Sequence, residues 1–231
     1  MGSESKSFLS PPSQPVSAEL LASSSGASDL RNLLEIALVF GLILVAVWTQ
    51  QGRLNTAVSW AALFLTVGLT FASRHSAREL GLTQPAKGAV VLLALGVPII
   101  LLIVAAGSFT RALGPPQPLP WHRAWQYAIW ALLQQFILQS FIYVRLESVL
   151  GSRRARLIAS VLFSVAHLPS PLLTLLSFMG AIFFCEMFRR YRNILPLGLV
   201  HAALGLTIAS SFPDHVLHHM RVGIGYLMYH G

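Results

Sequence analysis

AWQYAIWALLQQFILQSFIYVRL, Ala124–Leu146, is an apolar run of membrane-spanning length with three glutamines near its middle. Each of Gln134, Gln135 and Gln139 brings an amide that donates and accepts hydrogen bonds into a stretch otherwise suited to hydrocarbon. An amide left unsatisfied there costs roughly 2–7 kcal/mol. If lipid is the solvent for this run, other polar side chains must meet the glutamines at the same depth.

Composition makes lipid the solvent. The chain has 231 residues, of which 55% are hydrophobic and 10% charged, and a mean hydropathy of +0.66. A soluble domain carries about a quarter charged residues, so this chain cannot cover a globular surface with polar groups. The net charge of +8 does not point to nucleic acid, because the basic residues sit in short loops between apolar runs and form no single patch. The single cysteine, Cys185, excludes an internal disulfide.

Residues 1–28 are rich in Ser, Pro and small residues and read as a flexible cytoplasmic tail, without the pattern of a secretory signal. Seven apolar runs follow: Leu33–Thr49, Thr56–Ser73, Ala89–Phe109, Ala124–Leu146, Leu157–Leu168, Leu172–Met187 and Ile194–Ser211. The expectation is an all-α, polytopic integral membrane helical bundle of about seven transmembrane helices, or eight if one more short piece crosses. Helices five and six are expected to be shorter than the ~20 residues of a full span. Only Leu168–Pro171 separates them, which suggests a tight turn tucked into the protein. The chain then divides into the tail, N-terminal membrane helices over 29–120, core helices over 121–211 and an interfacial segment over 212–231. Twelve Lys and Arg fall on one side of this topology; four (Arg53, Arg111, Arg123 and Arg221) fall on the other. The positive-inside bias therefore places the N-terminus in the cytoplasm.

On this topology Gln134 and Gln135 lie about 15–17 Å into span four, close to the bilayer midplane. Gln135 and Gln139 share a helix face, with Tyr127 and Tyr143 continuing the stripe. His167 lies roughly 15 Å into span five and His201 roughly 11 Å into span seven. Three helices thus deliver Gln134, Gln135, Gln139, His167 and His201 to neighbouring depths. An intramembrane polar chamber of this kind is a candidate functional site. The same residues admit a plainer reading, in which amides and imidazoles only bond helices together at about 0.6–2 kcal/mol per contact.

The residues resemble the CPBP family of intramembrane proteases, which includes CAAX prenyl endopeptidases, bacteriocin-processing enzymes and lysostaphin-resistance-A-like proteins. The family's EExxxR, FxxxH and HxxxN/D blocks are matched in order by QQFILQ (Gln134–Gln139), FSVAH (Phe163–His167) and HAALG (His201–Gly205). The resemblance covers roughly Trp121 to Ile208. It implies hydrolysis of peptide bonds in membrane-associated or lipidated substrates, with His167, His201, Gln134, Gln135 and Gln139 at the catalytic positions. Phe163 and Tyr143 are expected to contact substrate. The family's glutamate pair, taken to activate water, is replaced here by Gln134 and Gln135, its arginine by Gln139, and its Asn/Asp by Gly205. An amide does not accept a proton near neutral pH, so the glutamines cannot act as general bases. Two acids and a base have been exchanged together for neutral groups of similar size, which can be energetically neutral where a single exchange would strand a buried charge.

Other acids are few. Glu186 and Glu147 lie near the cytoplasmic ends of their spans, and Glu147 is expected to pair with Arg145 or the Arg153–Arg156 cluster. His167 or His201 is the better base, since imidazole works near pH 7. No cofactor is expected; zinc at His167 and His201 would have only two protein ligands, fewer than the usual three. His215, His218 and His219 have chelating spacing but suit an interfacial cluster. The expected partners are the lipid bilayer and a membrane-embedded or lipidated peptide, in a bacterial plasma membrane. Three readings stay open: an endopeptidase driven by the histidines, a catalytically inactive relative that binds membrane peptides or scaffolds, and a small-solute carrier. The carrier is weakest, for no inverted pair of short segments is visible.

Overall fold

The computed structural model describes residues 15–84, 86–110 and 121–228, those at 15–25, 110, 214 and 215 by backbone only. The first 14 residues of the expected tail, and Arg111 with the loop around it, lie outside the described residues. The ordered helices are α1 (Pro15–Trp48), α2 (Arg53–Ala72), α3 (Ala89–Thr110), α4 (Trp121–Gln135), α5 (Val144–Leu150), α6 (Ser152–Val165), α7 (Pro171–Tyr191) and α8 (Ile194–Ser211). Two short helices close the chain, α9 (Asp214–Leu217) and α10 (Gly223–Leu227). Among the described residues there is no strand, and six helical stretches are long and apolar enough to cross a membrane. The all-helical bundle expected for an integral membrane protein is the observed architecture.

Two details differ from the sequence reading. Helix α1 begins at Pro15, so residues 15–28 are not a separate tail but run into the first span. The sixth apolar run is not short: α7 has 21 residues, started by Pro171 and continued past Met187 through Arg189 and Arg190 in its last turn. Cations at that end complement the negative pole of the helix dipole and keep their heads outside the apolar region. The fifth run, by contrast, is only the 14 residues of α6, roughly 21 Å against a ~30 Å core. What makes up the difference is the C-terminal segment. The Gly223 N–H donates to the Leu168 carbonyl at 2.7 Å, just past the end of α6, and Gly223 itself sits against Val47 near the end of α1.

Lipid-facing surfaces are apolar, as at Phe64, Leu102 and Val90, all largely exposed. With no water to expel between helices, close packing and internal polar bonds must hold the bundle. Helix α8 is the hub, packed between α3 and α4. Glycines let the backbones approach: a Cβ at Gly96 would meet Val200 Cγ1 at 3.2 Å, and one at Gly198 would meet Leu132 Cδ1 at 2.7 Å and its Cα at 3.1 Å.

The arginine-rich end is tied by ion pairs. Arg145, fully buried, donates to Glu35 Oε2 at 2.8 Å, to the Leu69 carbonyl at 2.8 Å and to the Phe141 carbonyl at 3.2 Å, with its guanidinium over the Phe141 ring. Glu147 is not the partner of Arg145 or of the Arg153–Arg156 cluster; it pairs with Arg192 and accepts the Tyr143 hydroxyl at 3.0 Å. The α2–α3 connection folds back under this end. Ser140 donates to the Leu80 carbonyl at 2.7 Å, Ile194 N–H to the Gly81 carbonyl at 3.2 Å, and the Asn193 amide to the Gln84 and Lys87 carbonyls.

Candidate functional site

The glutamines sit where the fourth span changes its winding. Between α4 and α5 the chain runs as a π-helix over Phe136–Tyr143, with Val144 N–H reaching back five residues to the Gln139 carbonyl. Such wide turns are rare and are frequently found at functional sites. Nothing in the residue pattern announces the change, because the helix is continuous from Trp121 to Leu150.

Gln135 and Gln139, both fully buried, still meet across one turn: Gln139 Nε2 donates to Gln135 Oε1 at 3.2 Å. Gln135 Nε2 lies 3.1 Å from His201 Nδ1 on α8. The chain of amides therefore ends on imidazole, as the depth argument from the sequence required. Since Gln135 Oε1 is already accepting, its amide N–H₂ is the donor, and His201 Nδ1 accepts. His201 then carries its proton on Nε2. The Gln139 Oε1 is buried without a hydrogen-bond partner among the described residues, and the Cys185 thiol of α7 neighbours both the Gln139 side chain and that of Ser160.

His167 is arranged in the opposite sense. It lies in the turn after α6, where its Nδ1 is 2.7 Å from the Phe163 carbonyl one turn back. A carbonyl only accepts, so Nδ1 must be the protonated nitrogen and Nε2 bears a free lone pair. The Phe163 ring neighbours both imidazoles, its centroid 4.8 Å from that of His167 and 6.0 Å from that of His201. Phe184 of α7 forms a further wall at 5.2 Å from His201. One imidazole is thus set as an acceptor and the other as a donor, in a mostly apolar enclosure.

Not every residue expected at the site joins this group. Gln134 is half-buried and makes no side-chain hydrogen bond among the described residues. Tyr143, expected to touch substrate, is fully buried; its hydroxyl is on Glu147, its ring edge-on to Phe188 at 5.8 Å and beneath Arg192. Among the described residues no three His, Cys, Asp or Glu side chains gather as metal ligands; the His215 side chain lies outside them. Sequence reasoning missed Phe184 and Cys185, which approach from α7 and bear no spacing relation to the glutamines. It also missed the fate of Gly205. A Cβ there would overlap the Tyr127 hydroxyl, so a tyrosine from α4 occupies the space one turn beyond His201.

Comparison with known proteins bears on the same segment. No curated protein matches the chain. The family model of type II CAAX prenyl endopeptidase Rce1-like proteins matches residues 116–207, which include all three sequence blocks and the aromatic walls. Residues 116–207, which hold every side chain of the Gln–His cluster, are thus similar to the type II CAAX prenyl endopeptidase Rce1-like family.

Proposed function

We propose that the protein is an intramembrane endopeptidase that hydrolyses a peptide bond of a membrane-embedded or lipidated peptide, using His167 and His201 in place of acidic residues. The observation that carries this reading is the bond from His167 Nδ1 to the Phe163 carbonyl, which leaves Nε2 as a base. His167 Nε2 takes a proton from water as its oxygen attacks the scissile carbonyl carbon. The tetrahedral oxyanion is met by the Nε2–H of His201, oriented by the Gln139–Gln135 relay. The protonated His167 returns its proton to the leaving amine as the carbon–nitrogen bond breaks. Gln134, beside the relay and with its amide unengaged, orients the peptide, and Phe163 lines its path. The protein works in a bacterial plasma membrane with its N-terminus in the cytoplasm, as the distribution of arginine and lysine favours.

A specific observation favours a second reading, a catalytically inactive relative that still binds such peptides. Amides stand at the positions of both family acids, and Tyr127 fills the space beside Gly205. One experiment separates the two. Protein termini in membranes of cells making the intact protein are compared with those made with His167→Ala and His201→Ala at equal abundance. Cleavage products present only with the intact protein are the expected result. Identical termini in all three, with the variants folded, would remove hydrolysis and leave the binding reading.

A further inference from the structure

We infer that the arginine-rich end of α6 and α7 is a binding site for a phosphate-bearing anion, with an anionic lipid headgroup as the source its position favours. A cavity of about 340 Å³ opens there, lined by Ser152, Arg153, Arg156, Glu186 and Arg189. It lies at the start of α6 and the end of α7, away from the Gln–His cluster. Its distinguishing feature is the state of its one carboxylate. Glu186 Oε2 accepts from Arg156 Nη1 at 2.6 Å and from Arg189 Nε at 3.0 Å. Its Oε1 accepts from Arg189 Nη2 at 2.7 Å and from Arg190 Nε at 2.6 Å. A carboxylate offers about four lone-pair sites, and all are taken.

The cations are far from exhausted. A guanidinium has five N–H donors; of these, Arg156 and Arg190 each give one to Glu186 and Arg189 gives two. Arg153 makes no ion pair or side-chain hydrogen bond among the described residues, although it lines the same cavity. Three guanidiniums therefore share one saturated carboxylate, and a fourth, that of Arg153, lines the same cavity. Their remaining N–H donors call for an oxyanion with several acceptor oxygens, and phosphate is a group whose geometry guanidinium matches two bonds at a time. A basic cavity between helices at the edge of the hydrocarbon is also where a lipid phosphate would stand. Neutral or cationic ligands would leave the excess charge uncompensated.

The test uses the full chain in phosphatidylcholine nanodiscs, followed by thermal unfolding. One arm adds phosphatidylglycerol to the bilayer; another keeps phosphatidylcholine and adds inorganic phosphate against chloride at equal ionic strength. Variants are Arg153→Ala, the pair Arg153→Ala with Arg156→Gln, and Arg154→Ala as a neighbouring charge outside the cavity. Because Arg153 pairs with no other described residue, its loss leaves the melting temperature in pure phosphatidylcholine unchanged. The expected result is a rise with phosphatidylglycerol that Arg153→Ala reduces by half or more, the double variant abolishes and Arg154→Ala retains. The same pattern with inorganic phosphate would keep the site and make the ligand a soluble phosphate compound. No rise in either arm, or a rise lowered equally by Arg153→Ala and Arg154→Ala, would overturn the inference.

Discussion

Replacing Glu35 by Gln removes the one carboxylate that, among the described residues, is bonded to the fully buried Arg145, and changes almost nothing else in volume. Arg145 keeps its bonds to the Leu69 and Phe141 carbonyls but loses its counter-charge. Stranding one member of a buried pair costs roughly 3–5 kcal/mol. The Glu35 side chain is 18% exposed, while that of Arg145 is 0% exposed, so partial solvation of the acid argues for the lower end, about 3 kcal/mol. For a chain of this size that corresponds to a fall of ~6–12 °C in melting temperature. The reverse change is milder. In Arg145→Met, Glu35 keeps Arg31 at 3.6 Å and its access to solvent, and the loss is mainly the charge-assisted bonds to two carbonyls, about 2–3 kcal/mol. The double variant strands nothing and should be no worse than Arg145→Met alone, a coupling of roughly 3 kcal/mol. Far-UV circular dichroism of the four proteins in mixed micelles, titrated with denaturing detergent, measures the cycle. Additive losses to within about 0.5 kcal/mol, or Glu35→Gln melting with the parent, would refute the idea that this pair anchors the π-helical turn to α1 and α2.

Two further outcomes follow from packing and from charge. Gly198→Ala places a Cβ against the Leu132 backbone, which cannot swing aside; it should cost about 1–3 kcal/mol. By prising α4 from α8 it should also break the Gln135–His201 contact, visible as altered His201 ring resonances. In the α2–α3 connection Glu79 accepts the Ser76 N–H at 2.7 Å and the Ser76 hydroxyl at 2.8 Å. Those bonds hold its carboxyl below the usual carboxylate range. A lowered pKa stabilises the fold at pH above the unfolded value and loses that contribution as pH falls through the folded one. Amide exchange around Ser76–Leu80 should therefore quicken as pH drops below about 4.5, after correction for intrinsic rates. In Glu79→Gln that acid-dependent step should be missing; its persistence would reject the assignment.

Much of this protein is readable from order and spacing. Apolar runs separated by arginines specify helices and their ends, because hydrocarbon admits no unpaired backbone and few charges. The three glutamines and two histidines announce a polar cluster by the same logic, since none of them can remain alone in lipid. What escaped was everything set by neighbours distant in sequence. The partner of Glu147 is Arg192, 45 residues away, not the nearby Arg145. The end of short helix α6 is met by Gly223, more than fifty residues on in sequence.

By itself, then, the sequence determined that the chain is a helical membrane protein with a neutral Gln–His cluster in its core. The tertiary structure alone decided which nitrogen of each imidazole carries the proton, that Gln134 and Tyr143 stand apart from the relay, and that Tyr127 takes the space beside Gly205. The physical reason is one of range. Burial and backbone pairing are enforced residue by residue along the chain, whereas a hydrogen bond's direction depends on which atom of another helix comes within 3 Å or so.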